Sequence, residues 1–168
     1  MRKTAEEFLA ELESDPTWVA AREQRERDHR LREAELARAE ADLVAELRAV
    51  GLDIDSVWDL VNNAPHPILV RRFIGPYPEG YPVLLRHLPR PCPRPIREGI
   101  IRALTVRDGG RPVEAALLGE FERELDPHLR WVLANALRTA MPYSRRRRRP
   151  EIAAALKGEN VRKPDGAV

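Results

Sequence analysis

The sequence contains one cysteine, Cys92, few aromatic side chains and no long apolar run. A single cysteine excludes an internal disulfide and is typical of a reducing compartment. No stretch approaches the roughly 20 consecutive apolar residues of a membrane-spanning helix, and the N-terminal residues lack the apolar core of a signal peptide. These absences predict a cytoplasmic protein that does not enter a membrane.

Motifs of the common enzyme classes are also missing. There is no Gly-rich phosphate loop, no Gly-x-Ser-x-Gly elbow and no His-Glu-x-x-His pair. His66, His87 and Cys92 surround one proline-rich segment and could form a metal site, although zinc ligands are usually more closely spaced. The sequence therefore predicts a non-enzymatic protein without metal or cofactor, and the alternative is a pocket built from distant acidic or histidine side chains.

Charge is unevenly divided along the chain. The net charge is +2, yet Arg145–Arg149 contribute +5, so the remaining residues sum to −3. Any nucleic-acid-binding surface would therefore be local. The abundance of arginine and alanine is typical of a bacterium with a GC-rich genome.

The N-terminal third has the pattern of a charged helical arm. Thr4 and Glu7 form a capping box for a short helix. Asp15-Pro16 then starts a second helix that meets no Gly or Pro before Gly51, which predicts about 34 helical residues. Arg and Glu dominate residues 22–35, and a sustained apolar heptad is missing. A projecting arm is favoured over a coiled coil, although a homo-oligomer formed through this helix stays an alternative.

The C-terminal half contains an internal repeat. A shift of 33 residues superimposes two successive apolar blocks: Leu84, Leu85 and Leu88 match Leu117, Leu118 and Phe121, and Ile96, Arg97, Ile100, Ala103 and Leu104 match Leu129, Arg130, Leu133, Ala136 and Leu137. The shift predicts two helix pairs, 79–88 with 94–106 and 112–124 with 127–141. Chance register between amphipathic helices is the alternative.

These blocks resemble HEAT-repeat proteins of the α-solenoid type. The resemblance covers about residues 78–157 and is carried by Tyr81-Pro82-Val83-Leu84-Leu85 and by the segments 97–104 and 129–137. It implies an all-α fold, a short HEAT-like array of antiparallel helix hairpins with a long N-terminal helix. Pro150 would begin a truncated third unit. The proline-rich first linker, with nine of fifteen prolines between positions 65 and 95, departs from the family pattern.

The predicted organisation has three parts. Residues 1–50 form the N-terminal helical hairpin with its long charged helix, residues 51–157 the HEAT-like repeat domain, and residues 158–168 a flexible tail rich in polar residues, Gly and Pro.

Candidate binding residues are mainly arginines, because guanidinium groups hold phosphates or carboxylates bidentately. They are Arg145, Arg146, Arg147, Arg148, Arg149, Arg94, Arg97, Arg102 and Trp131. The alternative for the arginines is a solvated loop together with internal partners such as Glu120, Glu122 and Glu124. Trp131 lies off the apolar stripe of its helix and is either an anchor for a partner or a cover for the last repeat near Ile152.

The predicted function is that of a binding or adaptor protein that recognises another protein through its helical scaffold, since repeat folds commonly act in this way. The alternative is a nucleic-acid-associated protein that binds phosphates through Arg145–Arg149 and a neighbouring basic helix surface.

Overall fold

The computed structural model describes residues 4, 11, 13–61 and 76–158, and over these residues it is all-helical, without a strand. Two compact units divide the chain, Met1–Arg38 and Ala39–Val168. The described α-helices are α1 (Pro16–Ala39), α2 (Ala41–Ala49), α3 (Trp58–Val61), α4 (Tyr81–His87), α5 (Arg94–Ala103), α6 (Gly110–Arg123), α7 (Pro127–Ala140), α8 (Tyr143–Arg147) and α9 (Pro150–Gly158), and a 3₁₀ turn (Pro78–Gly80) precedes α4.

Helix α1 is a charged helix, as the sequence predicts. It starts as expected, because the Asp15 carboxylate accepts a hydrogen bond from the Thr17 backbone N–H at 2.8 Å. None of its residues is buried. Pairs at i,i+4 spacing, such as Arg22 with Glu26 at 3.0 Å, line its surface, and each such exposed pair stabilises a helix by only about 0.3–0.5 kcal/mol.

The predicted helix of about 34 residues is wrong in length, because it is interrupted at Glu40. The backbone there leaves helical geometry, with φ −97° and ψ 0°. The buried Glu40 carboxylate accepts hydrogen bonds from the Ser56 hydroxyl and the Val57 N–H, both at 3.1 Å. The interruption between α1 and α2 therefore coincides with a contact between Glu40 and the 55–58 loop.

The core of the second unit is formed by the helices after Glu40. Leu43, Val44 and Leu47 place one face of α2 in it, and α2 packs on α4 while α3 packs on α5. Helix α7 packs against both α5 and α6. The buried apolar side chains of all these helices supply the main favourable free energy of folding.

The four helices predicted from the 33-residue shift are α4 to α7. Equivalent positions share the same burial: Leu84 and Leu117 are both fully buried, as are Leu104 and Leu137. Helix α5 ends at Ala103, three residues before the predicted end, and α6 starts at Gly110, two residues before its predicted start. Gly110 has φ +67°, a value that favours glycine, so the turn into α6 depends on it.

Helix α7 begins as predicted at Asp126-Pro127. The Asp126 carboxylate accepts hydrogen bonds from the backbone N–H groups of His128 at 2.8 Å and Leu129 at 3.1 Å. These bonds satisfy two donors that the first turn of a helix leaves free.

Glycine at position 99 allows α3 and α5 to approach closely. A Cβ at Gly99 would lie 2.5 Å from Val57 Cγ1 and 3.2 Å from Trp58 Nε1. Trp58 Nε1 in turn donates a hydrogen bond to the Pro95 carbonyl at 3.2 Å. The short α3 is thereby fixed on α5.

Several predicted features lie outside the described residues. They include most of the first short helix with its capping box, His66 in the proline-rich segment, and most of the 158–168 tail. Within the described ranges, no helix is long and apolar enough to cross a bilayer.

Candidate functional site

The predicted run of arginines lies on α8 and the turn after it. Over residues 138–157 there are seven cations and one carboxylate, a net charge of +6. Residues three and four apart share one face of a helix. Arg145, Arg148 and Arg149 line one depression, and Arg146 and Arg147, which are adjacent in sequence, line another. We call residues 145–149 the arginine ridge.

The first depression, the α6 groove, lies between α6 and the arginine ridge and has a volume of about 540 Å³. Four arginines and two glutamates line it: Arg111, Arg145, Arg148 and Arg149 with Glu114 and Glu122. Arg145 donates a hydrogen bond to the largely buried Glu114 carboxylate. Among the described residues it is the one ridge arginine with a carboxylate partner, so the other cations of this groove stay available to a ligand.

The second depression, the α8–α9 pocket, has a volume of about 480 Å³. Its cations come from three helices and are Arg138, Arg146, Arg147 and Lys157. None of the described residues that line it is acidic, and the nearby Glu151 lies outside the lining. Four cationic residues therefore line one concave space.

Arg138 connects α7 to the end of α9. Its Nη1 donates to Asn135 Oδ1 at 2.6 Å, and its Nη2 donates to the Leu156 carbonyl. A cation at this carbonyl is favourable because the C-terminal carbonyls of a helix carry partial negative charge. The contact fixes one wall of the α8–α9 pocket.

Arg146 has an unsatisfied donor. Its Nε is buried and finds no hydrogen-bond partner among the described residues. A buried donor without an acceptor costs about 1–3 kcal/mol. The Arg146 guanidinium carbon lies 6.0 Å from the centre of the Tyr143 ring, and Tyr143, another residue of the pocket lining, is 72% exposed.

The second basic surface that the sequence predicts is largely neutralised by ion pairs. Arg97 contacts Glu120 at 2.6 Å and Glu124 at 3.2 Å, which are among the internal partners foreseen for it. Pairs at 3.6 Å and 2.7 Å join Arg94 to Asp126 and Arg102 to Glu98. These three arginines support the fold and provide little free positive charge.

Glu98 has two hydrogen-bonding neighbours, Arg102 and His128. Burial alone would raise the pKa of the Glu98 carboxyl, but hydrogen bonds from Arg102 and His128 outweigh it and hold that pKa below its ordinary value. The His128 ring also lies 6.3 Å from the ring of Trp131, tilted by 40°. Trp131 is half-buried and lines neither of the two depressions.

The predicted metal alternative gains no support. In the part of the chain that the structure describes, no three His, Cys, Asp or Glu side chains are placed to hold a metal ion. His66 lies outside that part. The His87 Nε2 contacts Glu46 at 3.0 Å, and burial raises the pKa of the Cys92 thiol against the attraction of Arg97. A raised pKa keeps Cys92 protonated and weakly nucleophilic.

Sequence reasoning missed four residues of the two depressions: Arg111, Arg138, Tyr143 and Lys157. They come from four different helices, so their proximity to the arginine ridge has no signal in sequence spacing. The sequence signal that could have indicated Arg138 and Lys157 was the excess of cations between residues 138 and 157.

No protein-family model matches this chain, and neither a curated protein nor a solved structure matches it.

Proposed function

We propose that this protein is a non-enzymatic nucleic-acid-binding protein, and that the arginine ridge and the α6 groove contact the phosphodiester backbone. The observation that supports this proposal is that two sets of arginines differ in how many internal ion pairs they form. Those on α5 are occupied by internal carboxylates, whereas among the described residues the arginine ridge has one such pair, between Arg145 and Glu114.

The electrostatic argument rests on the concentration of charge. Residues 138–157 contain seven cationic side chains and one carboxylate, and the rest of the chain has a net negative charge. A cationic patch of this kind attracts phosphates locally while the remaining surface repels them, which favours one binding face. Guanidinium groups suit phosphate oxygens because they donate two parallel hydrogen bonds.

The scaffold argument rests on the repeat. The equal burial of Leu84 and Leu117, and of Leu104 and Leu137, supports a HEAT-like arrangement of α4 with α5 and of α6 with α7. Such helix pairs bury their core between neighbours, and the terminal pair keeps a polar outer face. The arginine ridge follows the second pair directly.

The test is binding of single-stranded and double-stranded DNA and RNA between about 50 and 200 mM salt. We compare the wild type with Arg148→Gln/Arg149→Gln, in which both changed residues are exposed. The charge-matched control is Arg25→Gln/Arg107→Gln, also at exposed positions. Each lost phosphate contact reduces the slope of log affinity against log salt by about 0.9 on duplex DNA, so the groove variant is expected to lose a slope of about 2.

Equal affinities and equal slopes for the groove variant and the control would overturn the proposal. The predicted role as an adaptor for another protein would then be the function to test.

A further inference from the structure

We infer that the α6 groove binds single-stranded nucleic acid with its bases against α6, and that Glu122 favours bases that carry an exocyclic amino group. The inference rests on the proposed function, because it takes the arginine ridge as the surface that holds the phosphodiester backbone. It adds the class of nucleic acid and the residue that distinguishes one base from another.

The two walls of the α6 groove differ in their side chains. One wall is the arginine ridge, which contributes Arg145, Arg148 and Arg149. The other wall is one face of α6, because its lining residues recur at intervals of three and four. They are Arg111, Glu114, Ala115, Leu118, Gly119 and Glu122. A strand with phosphates on one side and bases on the other matches these two walls.

One ion pair joins the two walls and leaves four charged side chains for a ligand. Arg145 donates to the Glu114 carboxylate across the groove. The other charged residues of the lining are Arg111, Arg148, Arg149 and Glu122. No hydrogen bond or ion pair joins any of these four side chains to another described residue. The groove therefore offers three unpaired guanidinium groups and one unpaired carboxylate.

The unpaired carboxylate of Glu122 determines which part of a strand lies beside it. Glu122 is exposed and is in the last turn of α6, whereas Arg111 is in the first turn. A carboxylate repels a phosphate, so the backbone lies on the arginine ridge and a base faces Glu122. Acidic side chains accept a hydrogen bond from the N4 amino group of cytosine. Thymine and uracil have a carbonyl oxygen at that position, which a carboxylate repels.

The floor of the groove is open and suits a planar base. It is formed by Ala115, Leu118 and Gly119, which carry no charge. A Cβ built at Gly119 would have Arg123 Nη2 as its nearest neighbour, at 3.8 Å. The groove volume of about 540 Å³ lies within the range of small-ligand sites, about 300–1,000 Å³. Apolar contacts and hydrogen bonds to base edges are the means by which proteins read sequence.

A single strand fits this groove better than a duplex. In a duplex, each base edge lies between two rows of phosphates, and one row would lie next to Glu122. A single strand exposes its unstacked bases on one side, where side chains form hydrogen bonds with their pairing edges. Grooves that bind single strands combine such contacts with cations that follow the backbone.

The experiment measures fluorescence anisotropy with single strands of deoxycytidine and of deoxyuridine that have equal length. The two ligands have the same backbone charge, and the cytosine strand alone carries exocyclic amino groups. The wild type is expected to bind the cytosine strand about tenfold more tightly, equivalent to about 1.4 kcal/mol. Glu122→Ala is expected to bind both strands equally, because the acceptor for cytosine and the repulsion of uracil are both lost.

Glu151→Ala is the matched control. Glu151 is exposed and lies close in sequence to the arginine ridge, but it does not line the α6 groove. This control should keep the tenfold preference. A carboxylate that only repels phosphates predicts a different result for Glu122→Ala, namely tighter binding of both strands at an unchanged ratio. That result would overturn the inference.

Two other results would also overturn the inference and leave the proposed function standing. One is equal affinity of the wild type for the two strands. The other is tighter binding of a mixed-sequence duplex than of either of its component strands. The groove variant Arg148→Gln/Arg149→Gln should bind both homopolymer strands more weakly and keep their ratio. If the wild type binds no nucleic acid, the proposed function fails and the inference fails with it.

Discussion

Replacing Gly99 with alanine tests the close approach of α3 and α5. The new methyl group would lie 2.5 Å from Val57 Cγ1, a side chain with no exposed surface, whereas carbon atoms pack best at about 3.5–4.0 Å. Forcing atoms into a packed core costs about 1–3 kcal/mol. Alanine offsets about 0.5–1 kcal/mol of this through its higher helix propensity. We expect a net loss of about 1 kcal/mol or more.

Gly119→Ala is the matched control, because Gly119 also lies within a helix. Its added Cβ would have Arg123 Nη2, the end of a flexible side chain, as its nearest neighbour at 3.8 Å. This variant should gain about 0.5–1 kcal/mol from helix propensity alone.

The assay is urea unfolding followed by far-ultraviolet circular dichroism. A difference of 1 kcal/mol moves the melting temperature of a protein of this size by about 2–4 °C, so thermal unfolding gives a second readout. If both glycine variants are stabilised to the same degree, α3 does not pack against Gly99 and the described α3–α5 contact is wrong.

Three further changes test other contacts. Asp126→Ala should lower the free energy of unfolding by about 1 kcal/mol, because α7 loses its cap. Asp126→Asn should lower it by less, because asparagine also caps helices. Equal decreases for the two variants in urea titrations would show that the cap is unimportant. Arg97→Met removes one of the cations that neutralise the buried Glu120 carboxylate. The free energy of unfolding, measured by the same titrations, should fall by about 3 kcal/mol. An unchanged free energy of unfolding would contradict a stabilising role for this pair. The pKa of Glu46 is lowered from 4.5 to about 2 by hydrogen bonds from Arg86 and His87, so its contribution to stability is complete above pH 4.5 and is lost as the pH falls towards 2. Glu46→Gln should therefore reduce the thermal midpoint at neutral pH and converge with the wild type near pH 2, and a constant difference across this range would refute the assignment.

Much of the fold was predictable because it depends on local signals. The cap at Asp126 and the apolar spacing that repeats after 33 residues predicted the start of α7 and the four helices α4 to α7. Hydrogen bonds within a turn and the 3.6-residue helical period act over a few residues, so sequence patterns carry them.

The break at Glu40 was not predictable, because it coincides with a tertiary contact and not with a local sequence signal. Residues 17–50 contain neither Gly nor Pro, and their local preference is for one continuous helix. The Glu40 carboxylate instead satisfies donors at Ser56 and Val57, sixteen and seventeen residues further along the chain. Burial of that carboxylate depends on how the chain folds back, which local propensity does not contain.

The candidate site shows the same division between sequence and structure. The sequence alone determined where the positive charge is concentrated, because five consecutive arginines at 145–149 stay adjacent in any fold. The tertiary structure decided which cations are neutralised by another helix and which share a pocket: Glu120 of α6 neutralises Arg97 of α5, and Arg138 and Lys157 join Arg146 in one pocket. Charge is a property of composition, whereas its neutralisation depends on distances of a few ångströms across helices that only packing sets.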